Sequence, residues 1–339
     1  MIHADPMGEA PLLELRGVSK RFAKPLDAAA RIANALGAGV REEVVHAVDG
    51  VDLAIGRGEV VGLVGESGCG KSTLGRVAAG LHAPTAGERY WRGASVADLP
   101  ADERRRVQLA IQMIFQDPYA ALNPRLRVQD IVGEAPVVHG LVPKDAQREY
   151  VAGYLARVGF DPALMRRFPH QFSGGQRARI GIARALAVQP EFLVCDEAVA
   201  ALDVSIQAQV LNLFISHDLG VVRHLSDRVA IMYLGRLVEI APTAEIYARP
   251  NHPYTQALLA EVPRLDVRRK HFAAIRGEIP SPLAPPPGCH FHPRCPHAMP
   301  RCKIESPLLR EIAPGRFAAC HLNDAPADRS ASAAHEVSA

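Results

Sequence analysis

The apolar positions of the chain change period several times, and each change marks an element. Residues 12–22, LLELRGVSKRF, alternate apolar and polar like an edge strand. Residues 24–43 are Ala- and Gly-rich and read as a helical insertion or a mobile loop. Residues 44–65, VVHAVDGVDLAIGRGEVVGLVG, read as two or three strands broken by Gly turns. From there to about residue 240, short apolar runs alternate with helical patterns. That alternation predicts an α/β fold with a largely parallel sheet. Residues 120–185 are mostly helical in pattern, which predicts a helical subdomain at about 120–180. Beyond residue 249 the chain is rich in Pro, His and Cys, and its polar, small-residue tail, 324–339, predicts disorder. No internal repeat is present. The expected organisation is therefore one domain over 12–240, a second region over 241–323, and the tail.

Composition narrows this picture. The chain has 339 residues, 48% hydrophobic and 22% charged, enough apolar material for a sizeable core. Lys plus Arg minus Asp plus Glu is 39 − 36 = +3. That balance is too weak to argue for a nucleic-acid partner. No run of 18 apolar residues exists, so no bilayer-spanning helix is expected. The N-terminus, MIHADPMGEAP, lacks the basic-then-apolar pattern of a signal peptide. The expected location is cytoplasmic, with any membrane role supplied by a partner. Of six cysteines, Cys289, Cys295, Cys302 and Cys320 cluster near the C-terminus. In a reducing compartment that suggests metal more than disulfides.

Three motifs carry candidate chemistry. The first is Gly65, Glu66, Ser67, Gly68, Cys69, Gly70, Lys71, Ser72, which fits G-x-x-x-x-G-K-[ST] directly after the apolar run 60–64 and before a helical pattern. The glycines let the backbone curl so that its N–H groups point at phosphate oxygens. The helix N-terminus adds a favourable dipole. Lys71 offers a point charge to the β- and γ-phosphates, and the Ser72 hydroxyl a ligand to Mg²⁺. The competing reading, a Gly-rich turn with a surface Lys, fits the flanking strand and helix poorly. The second motif is FLVCDE, residues 192–197. An apolar strand ending in Asp196 puts a second Mg²⁺ anchor at the sheet's C-terminal edge. Glu197, one residue on, can polarise an attacking water. The third is Ser173, Gly174, Gly175, Gln176, preceded by Phe172 and followed by a helical run. It suits phosphate binding at a helix N-terminus, or a flexible N-cap.

Taken in order, the phosphate loop, Gln116, Ser173–Gln176, Asp196–Glu197, Leu202–Asp203 and Ser216–His217–Asp218 resemble an ABC ATPase over residues 12–240. The resemblance implies a P-loop NTPase (RecA-like) core with an antiparallel β edge, a helical signature subdomain and a C-terminal Cys/Pro-rich extension. It implies ATP and Mg²⁺ as ligands. Gly65 to Thr73, Asp196 and Glu197 keep the roles given above, and Gln116 would touch Mg²⁺ and relay to a transmembrane subunit. Phe22 would stack on adenine, with a core Phe on a strand as the competing reading. His217 would contact the γ-phosphate. Ser173 to Gln176 would complete the site of the opposite subunit in a head-to-tail dimer, with Asp203 at that interface.

Longer strings resemble the oligopeptide/dipeptide (peptide/nickel) importer group in its second-ATPase-subunit form. They are IQMIFQDPYAALNPR at 111–125, YLGRLVE at 233–239, NHPYTQALL at 251–259 and GCHFHPRCP at 288–296. That group's architecture implies a heterodimer with a second ATPase subunit, two membrane permease subunits and, indirectly, a solute-binding protein, at the cytoplasmic face of the inner membrane. Nickel and glutathione importers share these strings, so the solute stays open. The spacing C-x5-C-x6-C-x17-C is not that of a zinc ribbon. The resemblance implies a four-iron four-sulfur cluster on Cys289, Cys295, Cys302 and Cys320, with Zn²⁺ as the alternative and unmetallated thiols as a third reading. His290, His292, His297 and His321 stand near enough in sequence to replace a ligand.

Two departures from the group's pattern stand out. Ala198 and Ala200 replace its usual proline and serine after Glu197. Only thirteen residues, 204–216, separate Asp203 from His217. A five-residue strand rises about 17 Å. A helix descending as far takes roughly 11 residues at about 1.5 Å each, so a comfortable crossover takes about 18–20 with its turns. The expectation is a two-turn helix near 205–211, a strand near 213–216, and a misplaced or mobile His217. Three function classes follow: a transport ATPase; a soluble ABC-type ATPase of DNA repair or translation, whose usual duplicated cassettes and coiled coils are missing here; and a nucleotide-binding subunit that hydrolyses poorly.

Overall fold

The computed structural model describes residues 10–27, 31, 34–37, 39, 42–197, 211–261 and 277–324. Among them the strands form two sheets. The smaller is antiparallel and is built from β1 (Leu13–Lys24), β2 (Glu43–Ile55), β4 (Ala86–Trp91) and β5 (Ala94–Ser95), in the order β2-β1-β4-β5. The sequence pattern placed 12–22 at an edge, yet β1 is paired on both sides, with β2 and with β4. Its alternation records a sheet buried on one face, a pattern that interior antiparallel strands share with edges.

The larger sheet has the order β11-β12-β10-β9-β3-β8-β7-β6. Its centre is β3 (Val61–Val64), β6 (Ile111–Ile114), β7 (Phe192–Asp196), β8 (Leu211–Ser216) and β9 (Arg228–Tyr233). These strands run parallel, as the alternation of strand and helix predicts. They read as unbroken apolar runs because both faces are covered. Alternate residues divide between two cores. Val61, Leu63, Phe192, Val194, Leu213 and Ile215 pack towards the smaller sheet and the helix α1 (Lys71–Ala78). Val64, Leu193, Cys195 and Phe214 pack on the other side.

That second core continues into a helical layer of α3 (Val128–Val138), α4 (Gln147–Arg157) and α5 (Gly174–Leu186), where Val132, Val151, Leu155 and Ile180 are buried together; α2 (Ala101–Ala110) precedes β6. Beyond β8 come α6 (Leu219–Leu225), β9, β10 (Arg236–Pro242), α7 (Thr243–Ala248) and α8 (Pro253–Ala260). The chain then returns as β11 (Arg310–Ala313) and β12 (Arg316–Ala318). Strand β12 pairs with β10 through Glu239 and Ala318, so the Cys-rich segment hangs between two points of the main sheet.

The short crossover resolves differently from the expectation. Strand β8 starts at Leu211, two residues ahead of the expected position, and its register is fixed on both sides: Ser216 lies opposite Val64, and Ile215 opposite Asp196. The helix expected near 205–211 falls outside the described residues up to 210, and Leu211 itself is strand. Asp203, Ala198 and Ala200 also lie outside the described residues, as does most of the predicted tail.

Candidate active site

The parallel centre brings four strand ends to one edge. Val64, Ile114, Asp196 and Ser216 end β3, β6, β7 and β8, and the registers Val64 to Ser216, Asp196 to Ile215 and Ile114 to Cys195 keep those ends level. The segments that follow carry the phosphate loop, Gln116, Glu197 and His217. In open α/β sheets ligands bind at this edge.

The phosphate loop is shaped by two glycines. A Cβ on Gly65 would lie 2.2 Å from the Met232 carbonyl oxygen. Gly70 sits at φ +107°, and a Cβ there would lie 2.0 Å from the Ala47 carbonyl oxygen. Gly70 caps α1, whose first residue is Lys71. The Lys71 ammonium donates to the carbonyls of Gly65 at 2.7 Å and Glu66 at 2.9 Å, so it lies across the loop. Burial pushes the Cys69 thiol up, which keeps it protonated and unreactive.

Ser72 Oγ donates to Asp196 Oδ1 at 3.0 Å. Asp196 is buried, and burial raises its carboxyl above the usual range against the opposing Ser72 hydrogen bond. An oxygen pair of this kind at a cavity edge suits a hard divalent cation. Glu197 takes a left-handed backbone, φ 54°, with its N–H donating to the Ile215 carbonyl at 2.9 Å. A non-glycine residue in this region stores strain and is concentrated at functional sites. Its carboxylate is held from two sides. Gln116 Nε2 donates to one oxygen, and His217 Nδ1 lies 2.8 Å from the other. His217 is therefore not displaced: pairing of β8 with β3 and β7 sets its place, whatever path the chain takes before Leu211. The reading of a poorly hydrolysing subunit rested on that displacement and has no support here.

A cavity of about 540 Å³ joins these groups. Its polar lining includes Lys71, Ser72, Gln116, Glu197 and His217, and its apolar lining includes Phe22, Val45 and Pro282. Phe22 is 40% exposed and meets His82 edge-on at 5.7 Å, so it is a surface ring at the cavity mouth and not a core residue. Ser173 to Gln176 lie elsewhere. Ser173 caps α5 in a reciprocal capping box with Gln176, at 3.4 and 3.1 Å. Gly174 and Gly175 line a separate cavity that shares Gln116 and Glu197 with the first.

The metal expectation for the cysteines is overturned. Among the described residues, no group of three or more His, Cys, Asp or Glu side chains is placed to hold a metal ion. Burial pushes the Cys289 thiol up to about 11 and raises Cys295 and Cys320 as well. Three of the four neighbouring imidazoles bond other groups. His321 Nδ1 pairs with Asp324 and its Nε2 donates to the Glu305 carbonyl; His290 and His292 bond backbone carbonyls.

Three residues of the site went unread in the sequence. Tyr254 Oη accepts from the Glu66 N–H at 2.9 Å. Arg294 donates to both Glu66 carboxylate oxygens, at 2.7 and 3.0 Å. Pro282 walls the cavity, and its carbonyl accepts from the His46 N–H at 3.1 Å. The strings containing Tyr254 and Arg294 were legible as group marks, but nothing in their spacing points at the phosphate loop.

A family model described as ABC transporter matches residues 48–200, and one described as oligopeptide/dipeptide transporter, C-terminal region, matches residues 238–302. The chain is 50% identical over 296 residues to the oligopeptide transport ATP-binding protein AppF of Bacillus subtilis, covering 82% of this chain and 90% of that one. It is 46% identical over 328 residues to a putative peptide import ATP-binding protein of Brucella ovis, covering 93% and 98%. The dimeric ATP-binding cassette MJ0796, in a post-hydrolysis state bound to ADP and Pi, superposes with a TM-score of 0.56 at 26% identity, over 68% of this chain and 98% of that one. The cbiO1 protein of Clostridium perfringens, part of the transporter complex cbiONQ, superposes with a TM-score of 0.54 at 25% identity, over 71% and 92%.

Proposed function

The chain belongs to the ABC transporter family of ATP-binding proteins and is a transport-coupled ATPase, and from that premise we propose that it energises the import of peptides through a membrane complex. The observation that carries the reading is the meeting, in one cavity, of Lys71 and Ser72 with a Glu197 carboxylate gripped by Gln116 and His217. The peptide assignment draws on the names of the relatives and on the matched C-terminal region.

In this reading the adenine lies between Phe22 and Pro282, and the phosphates lie in the loop 65–73. Lys71 turns from the Gly65 and Glu66 carbonyls to the β- and γ-phosphates. Ser72, Asp196 and Gln116 would hold Mg²⁺, which would supply charge neutralisation to the phosphates. Glu197 orients and polarises the attacking water, and accepts its proton in the transition state. His217 fixes the Glu197 carboxylate and faces the γ-phosphate. Ser173 to Gln176, presented at the N-terminus of α5 and away from this chain's own phosphate loop, serve the site of a second ATPase subunit, with Asp203 at the shared interface. Two permease subunits and a solute-binding protein complete the assembly. In this reading the chain sits at the cytoplasmic face of the inner membrane on its permeases; among the described residues no helix is long and apolar enough to cross a membrane.

The test is reconstitution of the chain with the permease and second ATPase subunits in proteoliposomes. ATP-dependent uptake of short peptides is expected, and it should vanish with Lys71→Ala. Uptake of nickel and not of peptides would replace the solute. An assembly that forms without permeases would remove the transport reading.

A further inference from the structure

The phosphate loop is held from outside by the C-terminal region, and the point of attachment is Glu66. All three polar parts of this residue are engaged. Its N–H donates to Tyr254, its carbonyl accepts from Lys71, and its carboxylate takes the Arg294 guanidinium on both oxygens. The Arg294 side chain is 5% exposed and that of Glu66 20%, so the pair is largely withdrawn from solvent. Arg294 is itself placed by an aromatic cluster. Its three-residue turn, His292–Arg294, follows Phe291, whose ring lies 5.2 Å from Tyr233 and 5.4 Å from Tyr254. Arg294 also reaches the Tyr233 hydroxyl at 3.4 Å.

Glu66 is a carboxylate within a loop that must accept a polyanion. Left unpaired, its charge would oppose every phosphate oxygen entering the cavity, in surroundings that screen it poorly. A bidentate guanidinium cancels that charge and fixes its direction. The Tyr254 hydroxyl, fully buried, holds the loop backbone at the same residue. A second residue of the region, Pro282, lines the cavity next to the phosphate loop.

We propose that Arg294, supported by Tyr254, is a positioning residue for nucleotide binding: it neutralises and orients Glu66 so that the phosphate loop accepts ATP. This rests on the assignment of the cavity as the ATP site. The C-terminal region is then part of the nucleotide-binding machinery, and any partner that displaces it changes affinity for ATP.

The experiment measures ATP affinity of the full chain by calorimetry with Mg²⁺, its melting temperature without nucleotide, and KM and kcat of the assembled transporter. Arg294→Ala should weaken ATP binding at least tenfold and raise KM by a similar factor with kcat within about threefold, as expected when binding is lost equally from ground and transition states. Arg294→Lys, which keeps the charge without the fork, should fall between. Glu66→Gln together with Arg294→Ala should bind ATP more tightly than Arg294→Ala alone, because no unpaired carboxylate is left. A lowered melting temperature with ATP affinity within twofold of the parent, in both Arg294 variants, would mean a structural tie only and would overturn the proposal. Failure of the parent chain to bind ATP in a Lys71-dependent way would instead overturn the assignment of the site.

Discussion

Acid should loosen this fold through His252, and the size of the effect follows from its surroundings. His252 is 1% exposed, and its Nδ1 accepts the Tyr254 N–H at 3.0 Å, capping α8. Its own N–H donates to Glu239, and its ring tilts against Phe291 at 5.8 Å. An Nδ1 that accepts a hydrogen bond must be unprotonated, and burial lowers the imidazole to about 4. In the unfolded chain it titrates near the ordinary value of about 6.5. Between those values the unfolded chain binds more protons than the folded one, so stability falls as pH falls. The contribution is whole above about pH 6.5 and declines progressively to about pH 4. At about 1.4 kcal/mol per unit the full loss is about 3 kcal/mol, of which roughly 1.4 kcal/mol is already lost at about pH 5.5. His252→Asn keeps a capping acceptor and removes the titration. Urea unfolding of both proteins at several pH values between about 8 and 5 checks this. The parent should lose about 2 kcal/mol more than the variant over that range. Parallel curves would refute the assignment of a buried neutral imidazole.

Three further outcomes follow from the structure. Gly70→Ala should abolish ATP binding, measured by calorimetry, because the added methyl meets the Ala47 carbonyl at 2.0 Å at a φ of +107°; strain and clash together should exceed about 2 kcal/mol. Phe22→Ala should weaken ATP by about 1 kcal/mol, roughly fivefold, if its ring stacks on the base, with turnover at saturating ATP kept. Leu155→Ala, in the core of the helical layer, should lower unfolding free energy by about 2–5 kcal/mol in urea titrations without changing the intrinsic affinity for ATP.

The phosphate loop was legible because its chemistry is contiguous: a strand, a loop and a helix start within residues 60–73 present all the groups that meet there. Asp196 and Glu197 were legible as the end of an apolar strand. Tyr254 and Arg294 were not, since they lie 188 and 228 positions from Glu66 and are joined to it only by the return of the C-terminal region to the main sheet. Strand β12, three residues long, is too short for any period to reveal. His217 was misjudged because crossover length was allowed to decide its place. Parallel pairing of Leu213 with Val61 and of Ser216 with Val64 decides it instead. The clustering of four cysteines and the group resemblance led to a metal that the side-chain placement does not support, since neither carries information on where the side chains fall.

The central claim is that Glu197, held by Gln116 and His217, is the group that activates water for ATP hydrolysis. The direct test is single-turnover ATP hydrolysis by the assembled transporter carrying Glu197→Gln, with ATP binding measured on the same preparation. Binding should stay within about threefold of the parent while hydrolysis falls by about 10² or more, the range expected for loss of a general base. Hydrolysis at the parental rate in that variant would contradict the claim.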